Sequence, residues 1–102
     1  MKQEIRERLE KIRSKYEEFS YQDLEEIDWL DLEPIEIGSK KYFPSVWSEK
    51  QEDERMLLVV QLKRWIFLRF IGETDCIGFL SSKNGDIELV DENYLMNEIG
   101  HP

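Results

Sequence analysis

The stretch that decides the fold runs from Arg55 to Val90 and reads RMLLVVQLKRWIFLRFIGETDCIGFLSSKNGDIELV. It holds the densest run of apolar and β-branched residues in the chain, and only short segments with turn residues interrupt it. Apolar runs of this length, bounded by Gly and Asn, are typical of antiparallel β-strands. We therefore predict a β-meander over residues 55–90, against which the rest of the chain packs.

The side-chain alternation of this stretch predicts its first two strands. One strand covers Met56–Leu62 and the next covers Ile66–Ile71, with a three-residue loop, Lys63–Trp65, between them. A one-residue change of register would exchange the two faces, and this loop length keeps one face of the hairpin wholly apolar. This register pairs Leu58 with Phe70 and Val60 with Leu68, and these four residues are predicted to form the centre of the core.

Turn residues predict the second half of the meander. A turn at Gly72–Asp75 leads into a strand over Cys76–Ser82. The dipeptide Asn84–Gly85 predicts a type I′ hairpin turn, because both residues accept the positive φ that this turn requires. A two-residue turn at this point pairs Phe79 with Val90.

Glycine and proline mark further features. The sequence predicts a short strand at Ile35–Ile37 and a turn at Gly38–Ser39. Tyr42–Trp47 contains Pro44, which has no backbone N–H to give to a neighbouring strand, and is therefore predicted to be an edge strand or an extended loop. Gly78 in mid-strand indicates a bulge or a close approach of two backbones.

Helices are predicted at both ends of the chain. A helix over Met1–Phe19 has apolar residues at steps of three and four, namely Ile5, Leu9, Ile12, Tyr16 and Phe19. Ser20 is predicted to cap a second, acidic helix of about ten residues, an ordinary length. That helix ends at Glu33–Pro34, because the residue before proline avoids the α region. Asp91 is a plausible cap for a short C-terminal helix, Glu92–Ile99.

These elements predict an α+β fold in one domain spanning residues 1–102, a usual domain length. An antiparallel β-sheet of four to six strands is packed by an N-terminal helix pair and a short C-terminal helix. Because the predicted N-terminal helices precede the strands and do not alternate with them, an alternating, parallel architecture is excluded.

Charge is high and unevenly distributed. Charged residues make up 36% of the chain and the net charge is −9. Residues 17–36 alone carry nine acidic and no basic side chains. This sign argues against sequence-independent DNA binding, which requires Lys and Arg to displace phosphate counterions. It favours attraction of a basic partner, and we expect no direct nucleic-acid partner.

The sequence has few groups for metal binding or catalysis. A single Cys76 excludes an internal disulfide, and with His101 it does not make a zinc-binding set. Calcium-loop spacing, phosphate-binding glycine loops and nucleophile-elbow motifs are absent. We therefore expect no catalytic residue, no metal and no cofactor. The chain also has no apolar run of membrane length and no secretory leader, so we expect a cytoplasmic protein that does not enter a membrane.

Aromatic residues within the acidic region supply the functional hypothesis. Trp29 lies between Asp28 and Asp31, and exposed Trp residues are frequent anchors of binding surfaces. An exposed Trp among carboxylates suits a partner rich in Arg. The candidate partner-binding residues are Asp23, Glu25, Glu26, Asp28, Trp29, Asp31 and Trp47.

We therefore interpret the chain as a small, acidic, non-catalytic protein-interaction domain. One alternative is an inhibitor, immunity-type or nucleic-acid-mimic protein that blocks a basic partner. Another alternative, of a different class, is a small-ligand-binding or enzymatic domain with a pocket on the sheet face.

The sequence also predicts the oligomeric state. The basic residues before position 17 can pair with the acidic residues after it within one chain, which costs no translational freedom, so a monomer is favoured over a weak homodimer. Sedimentation equilibrium at low and high salt tests this prediction. A mass near twice that of the chain at both salt concentrations would contradict it and would indicate that the apolar stripe of the first helix forms an interface.

Overall fold

The computed structural model describes residues 2–67, 71–91 and 94–95. Two helices come first, α1 (Gln3–Glu17) and α2 (Tyr21–Glu25). Six strands follow: β1 (Trp29–Asp31), β2 (Ile35–Ile37), β3 (Lys40–Lys50), β4 (Met56–Phe67), β5 (Ile71–Ser81) and β6 (Ile87–Val90). All six belong to one antiparallel sheet with the order β1-β3-β4-β5-β6, and β2 pairs with β3 beyond the end of β1. The predicted α+β class, with a helix packed on an antiparallel sheet, is confirmed.

The long hairpin of β4 and β5 differs from the predicted meander. Leu58 is paired with Phe79 and Val60 with Ile77, so the predicted pairs with Phe70 and Leu68 are wrong. The predicted loop Lys63–Trp65 and the predicted turn Gly72–Asp75 are wrong as well, because Leu62–Trp65 of β4 pair with Gly72–Asp75 of β5. Charged residues fit this hairpin because Arg64 and Glu73 lie opposite each other, with Nη2 and Oε2 3.2 Å apart. Leu58 and Val60 are fully buried, whereas Leu68 and Phe70 lie outside the described residues.

The turn at Asn84–Gly85 also has another geometry. The Gly85 N–H donates to the Ser82 carbonyl at 2.9 Å, and the Ser82 N–H donates to the Asp86 carbonyl at 2.9 Å. Gly85 has a φ of 96°, whereas Asn84 keeps a negative φ and accepts a hydrogen bond from the Asp86 N–H through its side chain. This is a three-residue loop with glycine in the left-handed position. It shifts the register by one residue, so that Phe79 faces Leu89 and Gly78 faces Val90.

The N-terminal region contains one long helix instead of the predicted helix pair. α1 is confirmed, and Ser20 does cap the next helix by accepting a hydrogen bond from the Asp23 N–H at 3.1 Å. However, α2 has only five residues, and Trp29–Asp31 of the predicted acidic helix form strand β1. The Ser48 hydroxyl of β3 lies 2.7 Å from the carbonyl oxygen of Leu24 in α2 and 2.6 Å from that of Ile27 after the helix, and its single hydrogen can be shared between them. This contact supplies a donor to the backbone at the end of α2 from outside the helix, so the chain can leave the helix and pair with β3.

Of the predicted C-terminal helix, the structure describes only positions 94 and 95. Tyr94 and Leu95 are helical, and Asp91 accepts a hydrogen bond from the Tyr94 N–H at 3.1 Å, as predicted for an N-cap. The other positions of the predicted helix Glu92–Ile99 lie outside the described residues.

Strand β3 accommodates Pro44 although it has neighbours on both sides. β2 pairs with residues 40–42 of β3, and β1 pairs with residues 45–47. Pro44 therefore lies in the gap between these two paired segments. Its carbonyl accepts a hydrogen bond from the Leu32 N–H at 3.0 Å. The N–H and C=O of a paired strand residue point to the same side, so the missing N–H of Pro44 faces this gap in the pairing. The prediction of an edge strand or loop at Tyr42–Trp47 is therefore wrong.

The sheet has two faces that are covered to different extents. We call the face that carries α1 the helix face; its core contains Leu58, Val60, Leu62, Ile77 and Phe79 with Ile5, Leu9 and Tyr16 of α1. We call the opposite face the open face. A smaller cluster covers one end of it and consists of Leu57, Val59, Leu80, Val90 and Leu95.

Gly78 tests this register. It faces Val59, and a Cβ at this position would overlap the carbonyl oxygen of Leu58 and lie 3.4 Å from the Val59 Cα. The predicted close approach is thus confirmed. We expect Gly78→Ala to lower the free energy of unfolding by about 1–3 kcal/mol, because overpacking forces the strands apart. Urea denaturation measures it, with the exposed Thr74→Ala on the same strand as control. Equal midpoints for the two variants would contradict the register.

Candidate functional site

The site is built on the part of the open face beyond the cluster around Leu95, where no described helix lies over the sheet and side chains of four strands form rows across it. One row contains Trp29, Trp47 and Val59, and the next contains Asp31, Ser45, Gln61 and Cys76. A third row contains Phe43, Lys63 and Thr74. Trp65 lies in the row after it, opposite Gly72. Directly opposed residues of antiparallel strands share a face, so these side chains lie on one surface.

The indoles of Trp29 and Trp47 are stacked. Their ring centroids lie 4.8 Å apart and the ring planes differ by 9°. The hydrogen bond from Leu32 to Pro44 fixes the alternation of the ladder and makes Trp29–Trp47 a non-hydrogen-bonded pair. Side chains approach most closely at such pairs, which explains the stacking. Trp29 is on the edge strand and is still 51% exposed, so its outer ring face is accessible.

Asp31 is held in position beside this stack. Its Oδ1 accepts hydrogen bonds from the Trp29 indole N–H at 2.9 Å and from the Ser45 hydroxyl at 3.0 Å. Ser45 is buried, whereas Asp31 is exposed. Both donors use the same carboxylate oxygen, and no described residue donates to the other one, Oδ2. The carboxylate is therefore oriented by the fold and has acceptor capacity left for a ligand.

Two other rings of this surface already have a cation from the chain itself. The ammonium of Lys63 lies 4.3 Å from the Trp65 ring centroid, and that of Lys41 lies 5.8 Å from the Phe43 centroid. Both distances are within the range of cation–π attraction. Lys41 and Lys63 add two positive charges to this surface and Asp31 adds one negative charge, so this surface is less acidic than the segment 17–36 that borders it.

A groove of about 510 Å³ lies between these groups. Its walls include Trp29, Asp31, Phe43, Gln61, Lys63 and Trp65. It is open to solvent and presents stacking surfaces, one carboxylate and amide or ammonium donors. A smaller groove of about 300 Å³ lies between α1 and β6, with Arg6, Arg13 and Leu89 among its walls.

Arg55 partly offsets the charge of the acidic turn between β3 and β4. Arg55 Nε donates to Asp53 Oδ2 at 2.7 Å, and its Nη1 lies 3.9 Å from Glu88 Oε2. The Arg55 backbone N–H and then its guanidinium lower the pKa of the Asp53 carboxyl below its ordinary value. This turn therefore has less free charge for a partner than its sequence suggests.

The structure divides the predicted partner-binding residues into two groups. Trp29, Asp31 and Trp47 come together on the open face. Asp23 and Glu25 are exposed on α2, where Glu25 lies 3.7 Å from Lys50, and Glu26 and Asp28 are exposed in the segment that follows. Leu24 and Ile27 of this region pack into the helix-face core, so these carboxylates do not line the groove.

Sequence reasoning missed Ser45, Phe43, Lys63 and Trp65. The signal for the first two was present, because Phe43, Ser45 and Trp47 alternate and must share one face of a strand. Lys63 and Trp65 were missed because they were assigned to a loop.

Among the described residues, no three His, Cys, Asp or Glu side chains are grouped so that they could hold a metal ion. Within the same part of the chain, no helix combines the length and the apolar character needed to cross a bilayer. Comparison of the sequence with protein-family models and curated proteins, and of the fold with solved structures, finds no match in any of the three.

The stacked pair can be tested by spectroscopy. Two stacked indoles at this distance couple their electronic transitions, and this coupling produces a paired positive and negative band in far-ultraviolet circular dichroism when the two transition directions are rotated relative to each other within the parallel planes. We expect Trp47→Phe and Trp29→Phe each to remove this band, whereas Trp65→Phe, which changes a ring outside the stack, keeps it. A band that persists in Trp47→Phe would show that the two rings are not stacked in solution.

Proposed function

We propose that this chain is a small, non-catalytic protein-interaction domain that binds a basic protein partner through the open face of its sheet. The observation that carries the proposal is Trp29, half exposed on the edge strand and stacked on Trp47, beside the oriented carboxylate of Asp31. Exposed and preordered aromatic side chains of this kind are the usual centres of protein interfaces.

The charge distribution supports a basic partner. Residues 17–36 carry nine carboxylates and no basic residue, and this segment runs from the end of α1 through β1 to β2. It therefore borders the edge of the sheet at which Trp29 and Asp31 lie. A carboxylate-rich rim attracts a basic protein over a distance and increases its association rate.

An inhibitor, immunity-type or nucleic-acid-mimic protein would use the same surface and would differ only in which basic partner it blocks. A small-ligand-binding or enzymatic domain is supported by the groove volume, which is within the usual range for ligand sites. It is less favoured because two of the groove's rings are already in contact with lysines of the chain.

Affinity capture from the native host, followed by calorimetry with the purified captured protein, tests the proposal. We expect a captured protein with a basic surface, and we expect Trp29→Ala to weaken its binding about tenfold or more, as loss of a buried aromatic anchor does. The control is Leu89→Ala, because Leu89 has a similar exposure, 55%, but lies on the opposite edge strand β6.

A second variant separates charge from stacking. Reversal of Asp23, Glu25, Glu26 and Asp28 to Lys is expected to abolish binding while far-ultraviolet circular dichroism stays unchanged. Affinity that survives the reversal at moderate salt would contradict the electrostatic part of the proposal. Equal weakening by Trp29→Ala and Leu89→Ala would contradict the use of the open face.

A further inference from the structure

The rings of the open face differ in what lies against them. Trp65 has Lys63 and Phe43 has Lys41, each within cation–π distance. Trp29 has Trp47 against its inner face, and no described cation lies against its outer face. Trp29 is also the aromatic ring with a fixed carboxylate beside it. A ring with an exposed face and an adjacent negative charge is a site at which an external cation gains most from binding.

The backbone next to this ring is free to pair. β1 is an edge strand, with β3 on one side and no described strand on the other. The hydrogen bond from Leu32 to Pro44 and the alternation of the ladder direct the N–H and C=O groups of Trp29 and Asp31 away from β3. These groups are available to an added strand, which is a common mode of peptide recognition.

We propose that Trp29 and Asp31 form an arginine-binding subsite, and that an extended, arginine-bearing segment of the protein partner adds to β1 to reach it. This inference rests on the proposed function and specifies the chemistry of the partner. Charge complementarity selects this occupant, because the subsite has a carboxylate and every charged residue of the surrounding segment 17–36 is acidic.

The register of an added strand places the arginine correctly. A residue directly opposite Trp29 on that strand has its side chain on the same face, with its Cβ about 4.5–5.5 Å from that of Trp29. Its side chain thus lies against the outer ring face, as Trp47 lies against the inner one. A guanidinium stacked there can donate to Asp31 Oδ2 while Oδ1 keeps its bonds from Trp29 and Ser45.

Arginine fits this site better than lysine. Its planar guanidinium stacks on an indole and donates from several fixed N–H groups at once, whereas an ammonium is a compact and strongly hydrated charge. The neighbouring rings also have lysines of the chain itself against them, Lys41 at Phe43 and Lys63 at Trp65.

Three synthetic peptides test the subsite directly. Their sequence is acetyl-Thr-Val-X-Val-Thr-amide, where X is arginine, lysine or the neutral arginine isostere citrulline. Binding to the full chain is followed by the NMR signal of the Trp29 indole N–H. We expect the arginine peptide to bind about fivefold more tightly than either of the other two, as additional charge-assisted hydrogen bonds predict.

Two matched substitutions assign the preference to its residues. Asp31→Asn keeps an oxygen acceptor for Trp29 and Ser45 and removes the charge, so we expect it to abolish the preference for arginine over citrulline. Asp75→Asn makes the same chemical change on the helix face of β5, opposite Leu62, and is expected to leave the preference unchanged. Trp29→Ala is expected to remove binding of all three peptides, which is followed in this variant by the indole N–H signal of Trp47 on the same surface.

Equal affinity of the three peptides, absence of any binding, or an unchanged preference in Asp31→Asn would each overturn the subsite. The proposed function is judged separately by the captured protein with Trp29→Ala and Leu89→Ala. A captured partner that depends on Trp29 while the peptides fail would show that the open face binds protein by another chemistry.

Discussion

The structure depends on the pairing of β4 with β5, because these two strands are apolar on both faces. Leu58 and Val60 point to the helix face, whereas Leu57 and Val59 point to the open face, and all four are fully buried. A sheet of this kind requires cover on both sides. α1 supplies it on the helix face through a stripe of apolar residues. On the open face the described cover is a small cluster around Leu95, and beyond it the stacked indoles of Trp29 and Trp47 take the place of a second layer.

Local sequence signals predicted the fold class and several details, and they failed where tertiary pairing outweighed them. The apolar stripe of α1, the Ser20 cap and the close approach at Gly78 follow from short-range physics and are present. A loop over Lys63–Trp65 was predicted because that loop length keeps one face of the predicted hairpin wholly apolar. β4 continues through these residues because Glu73 faces Arg64 and the Trp65 ring accepts the Lys63 ammonium. Asn84–Gly85 specified a turn, but the dipeptide is compatible with two loop lengths, and only the register of the strands distinguishes them.

The sequence predicted part of the candidate site, but on the basis of a helix where the structure has a strand. Trp29 and Asp31 were selected because they belonged to an expected acidic helix, in which residues two apart point in different directions. In a strand the same spacing places both side chains on one face, and this allows the indole N–H to reach the carboxylate. Trp47 joined them because its position on β3 is opposite Trp29, a pairing that no local pattern reveals. Phe43 was missed although it alternates with Ser45 and Trp47 along one strand, and Trp65 was missed because the predicted hairpin placed it in a loop.

The separation of the acidic segment from the aromatic surface has a kinetic consequence for any basic partner. The carboxylates of α2 and of the segment after it lie outside the groove, so they act through their field and not through contacts. Long-range charge mainly raises the association rate and is screened by salt within a Debye length. The Trp29–Asp31 contact is short-range and mainly determines how long the complex lasts. We therefore expect added salt to slow association of the partner and to change its dissociation little. In this scheme residues 17–28 determine the association rate, and β1 determines the dissociation rate.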